Sequence, residues 1–153
     1  RLLCQLTGPL GKVLAFDIQP EALTRTERLL KESSVPKNYR LILDSHEHMA
    51  SYAAEGTVGC ITFNFGYLPG GDHSKCTRAE TSLAAVKAGL TLLKVGGMMS
   101  LCIYSGKDSG YEERDALLAF LSGLDYRKYL VIRSDYYNRP NDPPIPVLVI
   151  RLR

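Results

Sequence analysis

Short apolar runs alternate along the chain with stretches in which apolar residues recur at helical spacing. A short apolar run bounded by turn residues is typical of a buried strand, and apolar residues three or four positions apart are typical of an amphipathic helix. The pattern predicts strands at residues 13–18, 39–44, 58–65, 98–105, 129–134 and 146–152. It predicts helices at residues 20–34, 77–93 and 111–124, a short helix at 45–54, and the end of a helix at 1–7. Strands that alternate with helices predict an α/β fold, with a mostly parallel sheet covered on both faces and a C-terminal antiparallel hairpin.

Turn residues and caps sharpen three of these boundaries. Pro20 suits the first turn of a helix. Thr77 and Glu80 have the spacing of a capping box, which predicts the start of the third long helix. Gly96 and Gly97 predict a turn into the strand at residues 98–105.

Composition adds limits to this architecture. The chain has 153 residues, of which 45% are hydrophobic and 23% charged, so we expect one soluble domain with a sizeable core. No apolar run reaches the ~20 residues of a membrane helix, and no signal-peptide pattern opens the chain, which predicts a cytoplasmic protein without a membrane partner. The net charge of +3 permits an RNA partner without indicating one. The four cysteines form no C-x-x-C pair, which favours reduced thiols over a zinc site or a disulfide framework.

Polar residues follow the carboxyl end of each predicted strand, which is where parallel α/β sheets bind ligands. The candidates are Asp17 and Gln19, then Asp44, Ser45 and His46, then residues 64–75, and finally residues 104–107. A carboxylate at the position of Asp17 can accept hydrogen bonds from both hydroxyls of a ribose. The alternative is a local role, with Asp17 capping the helix at Pro20 and with Asp44 and His46 capping the next one.

The segment FNFGYLPGGDHSKCT, residues 63–77, carries more polar and glycine positions than a plain turn needs. The carboxamide of Asn64 and a neighbouring backbone carbonyl can hold the hydrogens of an amine while its lone pair faces an electrophilic carbon. Tyr67 supplies a flat face for stacking on a base. The alternative is an ordinary strand-to-helix turn in which Asp72 is a local turn former.

A second candidate loop, DYYNRPNDPP, joins the last two predicted strands. Tyr136, Tyr137, Asn138, Arg139 and Asn141 belong to the residue types that stack on unpaired bases and hydrogen-bond their edges. The prolines stiffen the loop and lower the entropy cost of binding. A simple hairpin connection, with tyrosines packed on the core, is the equally weighted alternative.

Several segments together resemble one known family. They are AFDIQ, LILDSH, FNFGYLPGGDHSKCTRAETSLAA, LLKVGG, CIYSGKDSGYEERDALLAFL and YYNRPNDPPIPVLVI. The chain resembles the rRNA methylase family of class I S-adenosylmethionine-dependent methyltransferases, whose members methylate the exocyclic amine of 5-aminomethyl-2-thiouridine at the tRNA wobble position. The resemblance implies a Rossmann-like sheet, S-adenosyl-L-methionine as cofactor, and the tRNA anticodon loop as partner. A homodimer is left open.

The resemblance also implies roles for individual residues. The residues implied to bind the cofactor are Asp17, Gln19, Asp44, Ser45, His46, Asn64 and Gly66, of which Asp17 holds the ribose. The residues implied to be catalytic are Asn64, Tyr67 and Asp72, at the wall between methyl donor and acceptor. The residues implied to bind the substrate are His73, Tyr137, Asn138 and Asn141. These roles require that Asn64 and Asp17 open onto one crevice.

One departure from the family pattern concerns the start of the chain. The family's first strand and its glycine-rich loop, which cradles the methionine portion of the cofactor, are missing from the sequence. RLLCQLTGPLG corresponds to the end of the helix that follows that loop, so we expect an N-terminally shortened member. Two alternatives therefore stay open: a methyltransferase acting on rRNA or a small amine, and a nucleotide-binding module without activity.

Overall fold

The computed structural model describes residues 1–65, 78–105 and 110–153. The chain divides into two compact units, Arg1–His46 and Glu47–Arg153. Within the described residues, no helix is both long and apolar enough to cross a membrane. The expectation of a single domain stays a prediction.

The first unit contains two helices and a pair of parallel strands. Its elements are α1 (Leu2–Thr7), β1 (Val13–Asp17), α2 (Pro20–Lys31) and β2 (Tyr39–Leu43). Val13 lies opposite Tyr39, and Asp17 lies opposite Leu43. The helix α2 begins at Pro20, as predicted, because the fixed φ of proline suits a first helical turn.

The Asn38 side chain forms hydrogen bonds between separate segments of the first unit. The Asn38 amide nitrogen donates to the carbonyl oxygen of Cys4 at 3.0 Å, to Thr7 Oγ1 at 2.9 Å and to the carbonyl oxygen of Gly8 at 2.7 Å. The backbone carbonyl oxygen of Asn38 accepts from the Val13 N–H at 2.8 Å. One residue therefore fastens the end of α1 to the start of both strands.

In the second unit, the described residues form a four-stranded sheet and two long helices. Its elements are β3 (Val58–Asn64), α3 (Ala79–Leu92), β4 (Leu93–Ile103), α4 (Tyr111–Ser122), β5 (Tyr129–Arg133) and β6 (Ile145–Arg151). A 3-10 helix, His46–Ser51, precedes them. The strand order is β3-β4-β6-β5, in which β3 and β4 are parallel, and β6 runs antiparallel to both of its neighbours. The predicted α/β fold and the C-terminal antiparallel hairpin are confirmed.

The core of the second unit follows from strand periodicity. Met99, Leu101 and Ile103 alternate along β4 and are all buried on one face. Gly89 brings α3 close to this face, since a β-carbon there would lie 2.6 Å from Met99 Cε and 3.3 Å from Ile61 Cδ1. The missing side chain of Gly89 thus permits the close approach of helix and sheet.

The Gly96–Gly97 pair departs from its predicted role as the turn before a strand. β4 already begins at Leu93, which lies opposite Val58, whereas Cys60 lies opposite Met98. The ladder therefore skips several β4 residues, and Gly96 supplies the φ of 74° that this bulge needs. A β-carbon at Gly97 would lie 2.8 Å from the Lys94 carbonyl oxygen, so the glycine pair makes a bulge inside a longer strand.

Helix boundaries differ slightly from the predicted ones. The N-cap of α3 is Arg78, without a side-chain cap hydrogen bond, and the predicted capping residue Thr77 lies outside the described residues. The helix α2 ends at Lys31, before the predicted end at residue 34.

Candidate functional site

The carboxyl edge of the first sheet brings two acids together. Asp17 is the last residue of β1, and Asp44 directly follows β2, whose last residue Leu43 is the register partner of Asp17. Because the strands are parallel, both acids lie at the same edge, with Gln19 and Ser45 next to them in the chain. Four of the predicted cofactor-binding residues of the first unit, Asp17, Gln19, Asp44 and Ser45, are thus close together at this edge, and His46 begins the 3-10 helix that follows.

Backbone hydrogen bonds fix these two carboxylates. Asp17 Oδ1 accepts from the Gln19 N–H at 2.8 Å, and Asp44 Oδ1 accepts from the Ser45 N–H at 2.7 Å. The N-cap of α2 is Gln19, and no side-chain hydrogen bond caps this helix, so Asp17 closes the turn before α2 without capping it. Within the described part of the chain, Asp17 Oδ2 has no hydrogen-bond partner, and this leaves an acceptor at the sheet edge.

Asn64 occupies the corresponding edge of the second sheet. It is the last residue of β3, lies opposite Cys102 of β4, and exposes its side chain. Phe63 and Phe65 on either side are buried, and their rings stack with centroids 5.0 Å apart. The Phe65 N–H also donates to the Cys102 carbonyl oxygen at 3.1 Å. Strand alternation and this aromatic anchor therefore present the Asn64 carboxamide outward at a fixed point.

Other predicted site residues lie outside the described residues. They are Gly66, Tyr67, Asp72 and His73. Their roles stay predictions, and so does the common crevice for Asn64 and Asp17, which belong to different compact units.

Tyr104 follows β4 at the same edge as Asn64. A hydrogen bond with Cys102 raises the pKa of Tyr104, and burial and the neighbouring Tyr136 add to this effect. The phenol therefore keeps its proton at neutral pH, where it can donate a hydrogen bond but cannot serve as a base.

An open cleft of about 410 Å³ lies beside this edge. It is lined by α4, the end of β5 and the loop before β6: Ser105, Arg114, Asp115, Leu118, Arg133, Ser134, Asp135, Tyr136, Asp142, Pro143, Pro144 and Ile145. The predicted substrate residues Tyr137, Asn138 and Asn141 belong to the same loop but are outside this lining. Tyr137 is fully exposed.

Sequence reasoning missed the lining residues of α4 and β5. Arg114 lies in an ordinary amphipathic stretch, and Arg133 ends a strand, so neither carried a local signal. The prolines around Asp142 were the one available sign of a stiff wall.

A family model described as "Putative rRNA methylase" matches residues 13–150. The match spans both sheets and both edges described above. The chain belongs to the rRNA methylase family.

A named relative supports this membership. A chloroplastic tRNA (mnm(5)s(2)U34)-methyltransferase of Arabidopsis thaliana is 38% identical over 140 residues, which are 87% of this chain and 50% of that protein. The chain thus spans about half the length of the curated relative it matches.

Two solved structures superpose closely on this chain. The crystal structure of an rRNA methylase from Clostridium thermocellum has a TM-score of 0.93 at 40% identity, covering 97% of this chain and 80% of that one. A Streptococcus mutans methyltransferase in complex with SAH has a TM-score of 0.84 at 37% identity, covering 92% of this chain and 76% of that one. The fold is that of the class I methyltransferases.

Proposed function

We propose that this chain is an S-adenosylmethionine-dependent N-methyltransferase that methylates the aminomethyl group of wobble uridine in tRNA. The observation that carries the proposal is the 38% identity to a tRNA (mnm(5)s(2)U34)-methyltransferase across 87% of the chain. The complex of the Streptococcus mutans relative with SAH supports the choice of cofactor.

The first sheet edge fits a nucleoside cofactor. Asp17 has one oxygen tied to its own turn and a second that points to no described partner, which suits a ribose diol. Asp17 and Gln19 would hold the ribose, and Asp44, Ser45 and His46 would line the adenine. When bound, S-adenosyl-L-methionine supplies an electrophilic methyl group on a sulfonium.

The second sheet edge suits the acceptor amine. A free alkylamine has a pKa near ~10, as lysine does, so the amine must lose a proton before it attacks. The Asn64 side-chain oxygen accepts an N–H of the amine and so aims the lone pair. The proton passes to water or to Tyr67, Asp72 or His73. The chain therefore contributes mainly position and orientation.

Two substitutions separate these roles. Asp17→Ala removes a charged acceptor from the ribose, and we expect cofactor affinity to fall roughly 10- to 100-fold in calorimetry. Glu21→Gln, an exposed acid in the first turn of α2, is the control and should leave affinity unchanged. Asn64→Ala should lower turnover roughly 100-fold with little change in cofactor affinity. The reverse pattern for Asn64 would remove the clamp role.

The substrate is tested with purified protein and nucleoside mass spectrometry. Transfer to tRNA that carries 5-aminomethyl-2-thiouridine, with no transfer to rRNA or to small amines, is the expected result. Methylation of rRNA instead would favour the alternative that the family description suggests. A chain that does not bind S-adenosylmethionine in a titration would be a module without activity.

Location and assembly belong to the same proposal. We place the protein in the cytoplasm, where tRNA is its partner, and a homodimer is the assembly to test by light scattering.

A further inference from the structure

The cleft of the second unit has a size that suits a small ligand. Its volume of about 410 Å³ falls in the range of roughly 300 to 1,000 Å³ in which proteins hold small molecules. One wall is α4, with Arg114, Asp115 and Leu118. The lining also includes the chain from Arg133 to Tyr136 and the prolines before β6.

The charges of the cleft compensate each other. Arg114 Nε donates to Asp115 Oδ1 at 2.8 Å. Arg133 donates to Asp135 Oδ1 from Nε at 3.1 Å and from Nη2 at 2.9 Å. Asp142 adds a further acid to the lining. Among the lining residues that the structure describes, two cations therefore face three anions, and a phosphate group would find little net attraction from these groups.

The acid Asp142 is held in place from the helix side. The Tyr111 hydroxyl donates to Asp142 Oδ2 at 2.9 Å, and the Arg114 guanidinium lies 4.7 Å from the centre of the Tyr111 ring. Asn141 and Asp142 both have positive φ, of 65° and 45°, a conformation that costs free energy and persists only where other interactions offset that cost. The hydrogen bond from Tyr111 ties Asp142 to α4, and the fixed φ of Pro140 and Pro143 limits the freedom of the loop, which lowers the entropy cost of binding a ligand there.

The segment from Arg133 to Tyr136 offers an aromatic face. Tyr136 lines the cleft and is 53% exposed, and it is close enough to Tyr104 to influence it electrostatically. Arg133 keeps N–H donors that its pairing with Asp135 does not use, since a guanidinium has five. The cleft thus combines a flat stacking surface with donors and acceptors near its edge.

We propose that this cleft holds one unstacked nucleobase of the RNA substrate, with Tyr136 stacking on its face and Arg133 and Asp142 hydrogen-bonding its edge. The proposal rests on the proposed function, because it takes RNA as the substrate. A base fits this cleft better than a phosphate does. Charged groups that are already paired can still hydrogen-bond the donors and acceptors of a base edge, whereas binding a phosphate requires cations that are not neutralised by a neighbouring acid.

The test measures binding without turnover. A labelled anticodon stem-loop RNA is titrated with the full chain in the presence of SAH, at several salt concentrations, by fluorescence anisotropy. Tyr136→Ala should weaken binding roughly 10- to 100-fold, which is the effect of losing one base–aromatic stack. Tyr136→Phe should bind like wild type, because it keeps the ring. Circular dichroism verifies that each variant is folded.

Matched controls come from the turn before β5. Tyr126 is 76% exposed and packs beside Arg127, outside the cleft lining. Tyr126→Ala should leave RNA affinity within twofold of wild type by this argument.

A second test variant changes the hydrogen-bonding edge of the cleft. Asp142→Asn keeps an acceptor for Tyr111 and should weaken RNA binding, because it changes the groups that face the base edge.

The salt dependence separates a base from a phosphate. Tyr136→Ala and Asp142→Asn should shift affinity without changing the slope of log affinity against log salt, since neither touches a phosphate. Unchanged affinity for Tyr136→Ala would overturn the proposal, and so would Arg133→Gln lowering the slope by about one phosphate contact. If the wild-type chain methylates tRNA and Tyr136→Ala leaves RNA affinity unchanged, the cleft proposal alone is refuted. Wild-type chain that neither binds nor methylates the RNA refutes the proposed function as well.

Discussion

The two compact units of the chain are packed very differently. In the first unit the buried apolar residues are Cys4, Ala22, Leu30 and Ile42, and every residue of β1 is only half-buried. In the second unit Met99, Ile103, Leu117 and Val149 are completely inaccessible. The first unit thus has a thin apolar core that is supported by the Asn38 hydrogen bonds, whereas the second unit has a core of completely inaccessible apolar side chains. A polar clamp matters most where the apolar core is smallest.

The largest expected effect is a cavity in the second unit. Leu117 of α4 is 0% exposed, and Leu117→Ala should lower the free energy of unfolding by about 2–5 kcal/mol in urea denaturation. Leu30 of α2 is 4% exposed, yet Leu30→Ala should cost less, because its thinner surroundings relax into the space. An equal or larger loss for Leu30→Ala would contradict the contrast between the units.

A buried polar contact of the second unit comes next. The Ser82 hydroxyl of α3 donates to Glu113 Oε1 of α4, and both residues are buried. Glu113→Ala removes the acceptor from a buried donor and should cost about 1–3 kcal/mol. Glu113→Gln keeps an acceptor and should cost less. The exposed neighbour Glu112 is the control, since Glu112→Ala should leave the urea midpoint nearly unchanged. Equal effects at both glutamates would show that the contact contributes nothing.

The polar clamp of the first unit should have a smaller but localised effect. Asn38→Ala removes donors to Cys4, Thr7 and Gly8, but it also removes a buried Oδ1 that has no partner among the described residues. We therefore expect a cost near the lower end of the usual range, about 1 kcal/mol. Hydrogen exchange should quicken in β1 and β2 and stay unchanged in β4 and β6. Lys37→Ala, at the exposed neighbouring residue, is the control. Uniformly faster exchange in both units would mean that they unfold together.

The sequence predicted the strands well because local information decides them. Apolar runs and their flanking turn residues placed β1, β2 and β3 within one or two residues of their observed ends. The edge that joins Asp17 and Asp44 followed from the rule that parallel strands end at one side. Gly96 and Gly97 marked a real irregularity, but the pairing with Val58 that makes it a bulge depends on a distant strand.

The cleft was beyond sequence reasoning because its contacts are not local. Tyr111 and Asp142 are hydrogen-bonded across 31 positions of the chain, and no periodicity reveals such a pair. The loop of tyrosines was recognised by composition, yet composition does not say which ring turns toward the cleft. Tyr136 lines it, whereas Tyr137 is fully exposed.

The smallest expected effect concerns this same tether, at the surface of the well-packed second unit. The hydrogen bond from Tyr111 to Asp142, together with the negative charge of Asp142, raises the pKa of Tyr111 above its ordinary value near 10. The folded protein thus holds this proton more tightly than the unfolded chain does. The stabilisation is fully present below pH ~10 and is lost as the pH rises through the folded pKa.

An absorbance titration of the phenols detects this shift. Asp142→Asn should let Tyr111 ionise at lower pH than in wild type, and Tyr111→Phe should remove that step from the curve. Tyr126→Phe, which also removes one phenol, is the control for the amplitude. Identical curves for wild type and Asp142→Asn would mean that the tether is not formed in solution. Because Tyr111 is exposed, Tyr111→Phe should barely change the urea midpoint at neutral pH, in contrast to Leu117→Ala on the same helix. The tether would then shape the cleft, while the core alone keeps the second unit folded.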